Sequence, residues 1–500
     1  MLILLPILLP IFMGAALLIS SFVEHIKTNS DYQQKSDEEL HKIHVFSVAG
    51  LVVSAILAIY VGFQDGMSYT MFYLLEDLPV YFAVDSLSLL FVTFISIVFV
   101  AVGVYSCVYM KHETEEKRFF GFYLVVYGVL VGLDFAGNLV TLYLFYEFMT
   151  LTSMPFVLHN GTHESTMASL KYLFYSMTGA YLGLFGIFVL YKYAPSLTFV
   201  AGGSLDVISY TGNFPIMLVA VMCMLIGFGA KAGMFPLHAW LPSAHPVAPS
   251  PASAVLSSII VKCGVLSIIR VVFYVVGPDF IAGTWVQYAW MTLSLLTVFM
   301  GSLLAFREPV FKKRLAYSSV SQVSYVLFGL AVLTTTGFEG ALLHTVFHAF
   351  IKCALFLTAG IFIFKCHVTQ VSDLQGIGKS MPITLWCFTF ASLGLIGIPP
   401  TSGFISKWYL ALGALQADIG VLRYVGPAIL LISALLTAGY LLEVVVNGFF
   451  PKEGTEIKSY GKEPKGMWIP LMVLAALTVG LGVLPNGLID FISNIASALF

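Results

Sequence analysis

Long apolar segments, separated by short polar ones, follow each other along the whole of this 500-residue chain. A helix needs ~20 mostly apolar residues to cross a bilayer, and about fourteen segments meet that requirement. They lie near residues 2–22, 43–63, 84–109, 119–133, 137–158, 168–191, 213–240, 252–275, 283–305, 315–335, 339–364, 382–412, 425–448 and 467–490. A short turn around Asp134, Gly137 and Asn138 separates the fourth segment from the fifth. The pattern predicts an all-α integral membrane protein with about 14 transmembrane helices.

The composition supports a membrane protein and argues against several other classes. The chain is 59% hydrophobic and only 10% charged, where globular proteins have ~25% charged residues. Its formal charge of -2 gives no electrostatic case for nucleic acid as a partner. There is no Gly-rich phosphate loop, so we expect no nucleotide site. The first apolar segment has no basic start and no cleavage site, and is interpreted as a span and not as a removed signal peptide.

The six cysteines show no C-x-x-C spacing, which argues against a disulfide framework, a zinc site and an iron–sulfur cluster. They are interpreted as small apolar packing residues, and no cofactor or metal is expected. The cysteines are Cys107, Cys223, Cys263, Cys353, Cys366 and Cys387.

Lysine and arginine residues are distributed unevenly between the loops, and this predicts the orientation of the chain. Most of the 24 lie in loops after odd-numbered segments. Only Lys192, Arg270 and Arg423 are assigned to loops after even-numbered ones. The positive-inside rule then places the odd-to-even loops in the cytoplasm and both termini outside the cytoplasm. The chain is predicted to be a multi-pass protein of the cell (plasma or inner) membrane. The basic cluster between Arg307 and Arg314 is interpreted as part of this topological signal.

Glycine and proline interrupt the seventh and twelfth segments. The seventh contains GFGAKAGMFPLHAWLP and the twelfth GLIGIPPTSGFISKW. Proline breaks or kinks a helix, and spans broken at corresponding positions of two halves indicate a transporter site. The breaks are five segments apart, so segments 4–8 and 9–13 are predicted to be inverted five-helix repeats. The alternative is that glycine and proline are simply frequent in membrane helices.

We therefore divide the single polytopic domain, 1–500, into four parts. Residues 1–112 hold the first three spans, and 113–278 form the first five-helix repeat. Residues 279–450 form the second, inverted repeat, and 451–500 contain the C-terminal span.

Four lysines fall inside or at the breaks of apolar segments: Lys231, Lys262, Lys352 and Lys407. A charge at the bilayer centre costs between ~2.5 and ~17 kcal/mol, and such residues mark ion or substrate pathways. Glu147, in an otherwise uncharged aromatic segment, is the expected partner of Lys231. The pair could exchange a proton, or could be a static ion pair between helices. Lys262 could instead extend its ammonium group to the interface.

Histidines add to this set. His344, His348 and Lys352 lie at i, i+4 and i+8 and so share one helix face. Histidine titrates near neutral pH, which suits a proton relay. The alternatives are a metal site, for which the H-E-x-x-H pattern is absent, and two structural histidines. His238, soon after Lys231, could link that lysine to Lys262 or to the surface, or could cap a loop.

These residues lie in motifs that resemble a known family. The run from Lys231 to Arg270, KAGMFPLHAWLPSAHPVAPSPASAVLSSIIVKCGVLSIIR, is similar to the signature of the antiporter-like proton-conducting subunits of respiratory complex I. Relatives of those subunits occur in multisubunit cation/proton antiporters, as the D-type subunit, and in membrane-bound energy-converting hydrogenases. Supporting motifs are VDSLSLLF (84–91), FYEFM around Glu147, LAYSSVSQ (315–322), HTVFHAFIKCALFLTAG (344–360) and IPPTSGFISKW (398–408).

The resemblance implies a fourteen-helix core, two inverted repeats and a polar axis in the membrane plane. It implies that Glu147 and Lys231 form the pair of the first half-channel and that Lys262 is the connecting lysine. His344, His348 and Lys352 would continue the axis, with Lys407 as its terminal residue. The chain itself would carry no catalytic chemistry.

The implied partners are other membrane subunits, including further antiporter-like ones, peripheral redox subunits on the cytoplasmic side, and the lipid bilayer. The preferred interpretation is a proton- or sodium-translocating subunit of a redox-driven complex, of complex I or hydrogenase type. The alternative is a subunit of a multisubunit Na⁺/H⁺ antiporter without redox partners. The roles of Asp85 and Glu443 are left open.

Overall fold

The computed structural model describes residues 1–27, 36–205, 213–454 and 460–500. The helices of the first half are α1 (Leu5–Lys27), α2 (Asp37–Gly62), α3 (Ser86–Tyr109), α4 (Glu116–Asp134), α5 (Leu139–Leu158), α6 (His163–Tyr193), α7 (Phe214–Ala232), α8 (Leu241–Val247) and α9 (Ser250–Val276). Those of the second half are α10 (Trp285–Arg307), α11 (Phe311–Ala331), α12 (Thr335–Cys366), α13 (Pro382–Ile396), α14 (Ser402–Gln416), α15 (Leu422–Phe449), α16 (Lys465–Val483) and α17 (Asn486–Ser497). Within the described ranges, ten helices are long and apolar enough to span a membrane.

Short polar side chains fix several helix starts that the apolar pattern alone could not locate. The Asp85 carboxylate accepts a hydrogen bond from the Ser88 amide at 2.8 Å, and so begins α3. The Asn138 side chain accepts a hydrogen bond from the Thr141 amide at 2.8 Å and so begins α5. The Thr162 hydroxyl accepts one from the Ser165 amide at 3.1 Å and begins α6. Such caps satisfy amide groups that have no partner inside the helix.

The prediction of an all-α chain is wrong between α2 and α3. Strands β1 (Ser68–Leu75) and β2 (Leu78–Ala83) form an antiparallel hairpin there. Their sequence is rich in tyrosine, phenylalanine and other residues that favour strands, but it was too short and too polar to count as a span. The last predicted segment is also corrected, because α16 ends at Val483 and a separate helix, α17, follows.

The hairpin marks one end of the helix bundle, which we call the hairpin face. The Gly137 amide donates to the Tyr81 carbonyl at 2.9 Å, and the Phe199 amide to the Gly137 carbonyl at 3.0 Å. The Val200 amide donates to the Tyr274 carbonyl at 2.9 Å. The hairpin, the α4–α5 turn, the segment after α6 and the end of α9 therefore gather in one place.

The other end, which we call the opposite face, gathers a second set of connections. The Arg118 guanidinium donates to the His159 carbonyl at 2.6 Å. The Phe311 amide donates to the Thr369 carbonyl, and the Gly376 amide to the Asn447 carbonyl, both at 2.9 Å. Chain segments that precede α4, α6, α11 and α13 thus meet at this end.

Helices α9 and α12 form the centre of the bundle. The most apolar windows of the two helices are 100% and 94% buried, whereas the corresponding windows of α1, α15 and α16 are 33% buried. The outer helices present large apolar side chains such as Phe12, Leu435 and Leu431 on their exposed sides. Polar groups on α9 and α12 are therefore enclosed by protein.

Both predicted helix breaks are present. Helix α7 ends at Gly233, whose φ of 79° lies in the left-handed region that favours glycine, and α8 begins eight residues later at Leu241. Helix α13 ends at Gly397, with a φ of 90°, and α14 begins at Ser402. Each break exposes helix-terminal backbone groups to the interior of the bundle.

Candidate functional site

Lys231 lies in the last turn of α7, and its residue surface is 0% exposed. Its ammonium group donates three hydrogen bonds, to the Thr150 hydroxyl at 2.9 Å, the Tyr172 hydroxyl at 3.0 Å and the Ser176 hydroxyl at 2.9 Å. It also lies 4.4 Å from the centre of the Tyr172 ring. Three donors are thus satisfied by neutral oxygens, which is the full capacity of an ammonium group.

Glu147, the expected partner of Lys231, is on the neighbouring helix α5 but does not touch it. In the described part of the chain, no carboxylate oxygen lies within 4.0 Å of the Lys231 nitrogen. One Glu147 oxygen, Oε1, is buried without a hydrogen-bond partner among the described residues. The structure therefore holds the two groups as neighbours, with the direct ion pair unmade.

Lys262 lies in the middle of α9 and is 2% exposed, so it does not extend to an interface. Its ammonium group donates to the Ser257 carbonyl at 2.8 Å. Ser257 belongs to a π-helical segment, Leu256–Ile260. Such wide turns inside an α-helix are frequent at functional sites.

Lys352, on α12, is 0% exposed and donates to the Leu315 carbonyl at 3.0 Å and to the Ser318 hydroxyl. The next serine of α11, Ser319, forms a 2.6 Å hydrogen bond with the Ser257 hydroxyl. The serines of α11 therefore join the surroundings of Lys352 to those of Lys262. These serines belong to the motif LAYSSVSQ, in which the sequence alone indicated no role for them.

His344 and His348 form one buried stripe with Lys352, as the spacing predicts. The His344 Nδ1 atom is 2.9 Å from the Ser406 hydroxyl, and its ring stacks on Tyr325 and on His348 at 5.6 and 5.7 Å. Both ring nitrogens of His348 lack a hydrogen-bond partner in the described ranges. A ring with unsatisfied nitrogens in the interior can take up or pass on a proton without first breaking a bond.

Lys407 lies in α14, and its ammonium group reaches back across the second break. It donates to the carbonyls of Leu395 and Ile396, the last two residues of α13, at 2.6 and 2.9 Å. It also lies 5.2 Å from the centre of the Tyr325 ring, which stacks on His344. The carbonyl end of a helix carries partial negative charge, so it stabilises this cation.

Two further histidines lie near the first break. His238 is half-buried between α7 and α8 and stacks on Phe235 at 5.9 Å, and its Nδ1 atom has no hydrogen-bond partner in the described ranges, so its linking role stays a prediction. His245, on α8, is 0% exposed, stacks on Phe356 at 4.7 Å and has no hydrogen-bond partner for either ring nitrogen within the described part. Sequence reasoning missed His245, although its position inside an apolar, proline-flanked stretch was a usable signal.

Two buried arginines correct the topological assignments made from sequence. Arg270 is inside α9 and not in a loop, and its guanidinium contacts the two carboxylate oxygens of Asp85 at 2.5 and 2.9 Å. Arg314, 5% exposed on α11, contacts the Glu443 carboxylate at 2.6 Å. The open roles of Asp85 and Glu443 are thus answered in structural terms, because each is the counter-ion of a buried arginine.

The site as a whole is a series of buried basic groups on adjacent central helices. The hydrogen bond between Ser257 and Ser319 links the surroundings of Lys262 to those of Lys352. The stacked rings of His348, His344 and Tyr325 lead on to Lys407. The hydrogen-bond partners of the four lysines are hydroxyl and carbonyl oxygens, whereas the His348 ring has none in the described ranges. The fold and these side chains define a multi-pass membrane protein whose core carries ionisable groups.

Comparisons with known proteins identify the family. A family model described as "NADH:quinone oxidoreductase/Mrp antiporter, TM" matches residues 136–437, and one described as "NADH-Ubiquinone oxidoreductase (complex I), chain 5 N-terminus" matches residues 76–120. The chain therefore belongs to the family of membrane subunits that NADH:quinone oxidoreductases and Mrp antiporters share. The resemblance that the sequence motifs carry is confirmed.

Relatives come from three kinds of assembly. The chain is 34% identical to NADH-quinone oxidoreductase subunit N of Desulforudis audaxviator, over 78% of this chain and 79% of the relative. It is 30% identical to hydrogenase-4 component B of Escherichia coli, over 83% of this chain and 64% of that protein. It is 28% identical to the D-type subunit of the Na(+)/H(+) antiporter of Alkalihalophilus pseudofirmus, over 100% of this chain and 97% of that protein.

Solved structures share the fold. A chain of the Mrp complex from Dietzia sp. superposes with a TM-score of 0.82 at 19% identity, over 99% of this chain and 97% of that one. A chain of the membrane-bound sulfane sulfur reductase, an archaeal respiratory membrane complex, gives 0.84 at 21% identity, with the same coverage. Both solved assemblies are multisubunit membrane complexes. The chain is an antiporter-like membrane subunit of the complex I, hydrogenase or Mrp family.

Proposed function

We propose that this chain translocates protons, or sodium ions, as a subunit of a multisubunit redox-driven membrane complex of complex I or hydrogenase type. The ion would move along Glu147, Lys231, Lys262, the two histidines of α12, Lys352 and Lys407. The proposal includes fourteen spans in two inverted repeats, both termini outside the cytoplasm, and peripheral redox subunits on the cytoplasmic side of a cell membrane.

The observation that carries the proposal is the environment of Lys231. An ammonium group paired with a carboxylate is stabilised in its charged form. Lys231 is instead held by three hydroxyls, while Glu147 stands nearby without contact. Closing the pair would load Lys231 with a proton, and opening it would release the proton towards Lys262. A lysine that alternates between these two states would act as a carrier.

Hydroxyl and carbonyl groups supply the steps between the lysines. The Ser257–Ser319 hydrogen bond of 2.6 Å joins the helix segment that binds Lys262 to α11, where the neighbouring Ser318 binds Lys352. The stacked rings of His344, His348 and Tyr325 continue from there to Lys407. Water molecules would complete the connections between these groups.

The test replaces Lys231 by alanine in the assembled complex. We expect ion transport in native membrane vesicles to be lost, while assembly and electron transfer persist. The matched control is Lys192→Ala, which removes a lysine from the exposed end of α6 and should leave transport unchanged. Wild-type coupling in Lys231→Ala would reject Lys231 as a carrier.

A second candidate is an antiporter subunit that works without redox partners. It is favoured by the match to the D-type antiporter subunit over 100% of this chain and 97% of that protein. Purifying the assembly and identifying its subunits by mass spectrometry separates the two candidates. Iron–sulfur subunits in the complex support the redox-driven function, and transport driven only by an imposed ion gradient supports the antiporter.

A further inference from the structure

Asp134 is a buried carboxyl group that the lysine axis does not use. It is the last residue of α4, at the hairpin face, and it is 0% exposed. Neither of its carboxylate oxygens has a hydrogen-bond partner within the part of the chain that the structure describes. An ionised carboxylate without a partner in the protein interior carries a large free-energy cost, because it has lost its hydration and gained no counter-ion.

Asp134 lies beside the ion pair between Arg270 and Asp85, whose charged groups already bind each other. The Arg270 guanidinium donates two hydrogen bonds to the Asp85 carboxylate, at 2.5 and 2.9 Å, and a third to the Ser88 hydroxyl at 3.0 Å. The same hydroxyl is 3.1 Å from the backbone carbonyl of Asp134. One serine side chain therefore spans the distance between the guanidinium and Asp134, and the charge of Arg270 acts on both carboxyl groups.

We propose that Asp134 is a proton-binding site at the hairpin face, and that Arg270 loads and unloads it by exchanging between Asp85 and Asp134. While Arg270 binds Asp85, Asp134 holds its proton and is neutral. When Arg270 turns to Asp134, that carboxyl group gives up its proton and becomes the counter-ion, and the proton leaves through the solvent that reaches Asp85. One proton leaves and one ion pair replaces another, so the net charge of the three groups falls by one, and the negative charge left without the guanidinium is that of Asp85, which faces water.

The two carboxyl groups differ in the way that this exchange requires. The Asp85 side chain is 34% exposed, so water can stabilise it when Arg270 leaves. The buried Asp134 has no such solvent, so its ionisation depends on Arg270. The position of one arginine side chain thus decides whether Asp134 holds a proton.

Arg270 lies at an irregular point of α9, between two aromatic rings. Arg270 is the first residue of a second π-helical segment, Arg270–Val276, and its guanidinium lies 4.5 Å from the Tyr274 ring and 5.1 Å from the Phe199 ring. Aromatic faces can hold a cation during a shift from one carboxylate to the next. The charged and titratable groups around Asp134 come from α3, α4 and α9. They are Asp85, Tyr127, Cys263, Arg270 and Tyr274.

Cys263 connects this site with the axis along α9, because it follows Lys262 directly and lies seven residues before Arg270. The inference rests on the proposed function in one respect, since protons released at Asp134 would be those that the axis delivers. The protonation of Asp134 itself is independent of transport and can be measured without it.

The experiment uses infrared spectroscopy of the purified assembly, because a protonated carboxyl group has its own carbonyl stretching band. We expect the wild-type spectrum to contain such a band at neutral pH that is absent in Asp134→Asn. We expect the same band to disappear in Asp85→Asn, in which Arg270 is free to pair with Asp134. Asp490→Asn, which removes an exposed carboxylate from α17, should leave the band unchanged.

Two results would overturn the inference. A band of equal intensity in wild type and Asp134→Asn shows that Asp134 is not the protonated group, and a band that persists in Asp85→Asn excludes the exchange of Arg270. If Asp134→Asn fails to assemble, the Asp85→Asn spectrum still decides. In vesicles, Asp134→Asn should lower transport at least tenfold. Failure of the Lys231→Ala test alone would reject the axis and leave the infrared result standing.

Discussion

The ammonium nitrogen of Lys407 lies 2.6 Å from the backbone carbonyl oxygen of Leu395, although the two residues belong to different halves of a broken helix. Lys407 therefore acts as a cap for α13, whose final carbonyls have no partner within the helix. This contact connects the break, predicted from glycine and proline, with a half-buried lysine, predicted from its cost in a membrane. The carbonyl groups at the end of α13 stabilise the Lys407 ammonium group, and this ammonium group satisfies carbonyls that the helix break leaves without partners.

We expect Lys407→Gln to destabilise the protein, because two carbonyls lose a charged donor. Hydrogen bonds to charged groups contribute ~1.5–3 kcal/mol each. Lys407→Glu should be more destabilising, since it places a negative charge at the negative end of the α13 dipole. Thermal unfolding of the purified assembly should therefore rank wild type above Gln and Gln above Glu. Lys379→Gln, at an exposed position, is the control. A Glu variant as stable as wild type contradicts the capping role.

Gly403, in the first turn of α14, allows the two halves of the broken helix to touch. A Cβ atom on this residue would lie 1.9 Å from the carbonyl oxygen of Gly394, on α13. Backbone cannot yield by that distance without separating the two helices, so Gly403→Ala should prevent stable insertion or assembly. The amount of the chain in membrane-embedded complexes, resolved on native gels, measures this. Gly480→Ala, where no atom lies within 4 Å of the added Cβ, should assemble normally.

The fold could be predicted from sequence where the signal was local. Span lengths and the glycine–proline breaks depend on neighbouring residues, and both breaks lie where the sequence placed them. The hairpin of β1 and β2 was missed because span counting recognises only long apolar runs. The end of α16 at Val483 was missed because α17 continues the apolar pattern on one of its sides.

The buried site was predictable only in part, because its contacts join residues far apart in the chain. The cost of a buried charge identified the four lysines, and the helical period identified the stripe from His344 to Lys352. The Arg270–Asp85 pair spans 185 positions, so nothing near Arg270 distinguished it from a loop charge. For the same reason the serines of α11 looked like ordinary small residues of a membrane helix. The Glu147–Lys231 pairing stays a prediction.

Glu443 is the counter-ion of Arg314, which also donates to the Tyr440 carbonyl at 3.0 Å. Glu443→Gln leaves a buried guanidinium with less compensation, which costs ~3–5 kcal/mol for an enclosed pair. The Glu443 side chain is 47% exposed, so solvent screening reduces this to roughly 1–2 kcal/mol. Thermal unfolding should show the loss. Glu453→Gln, at an exposed position after α15, should show none. A double replacement of both partners by methionine should recover part of the stability if the pair is structural.

The buried His159, at the opposite face, should make the stability of the folded protein depend on pH. It follows α5, is 4% exposed, and has a ring nitrogen 3.0 Å from the Thr114 carbonyl. Burial, and then the nearby Arg118 charge, lower the pKa of His159 from 6.5 to about 4. Between these two values the unfolded chain binds a proton that the folded chain does not. Stability is therefore complete above pH 6.5 and declines as the pH falls towards about 4.

The resulting loss is at most roughly 3 kcal/mol, at about 1.4 kcal/mol for each pKa unit. His159→Gln retains a donor for the Thr114 carbonyl but cannot be protonated, so its melting temperature should fall less than that of wild type across this window. His163→Gln, an exposed histidine in the first turn of α6, should keep the wild-type pH dependence. Because the folded state excludes the proton only while His159 is enclosed, an equal pH dependence in wild type and His159→Gln would mean that the α5–α6 connection opens before the rest of the bundle unfolds.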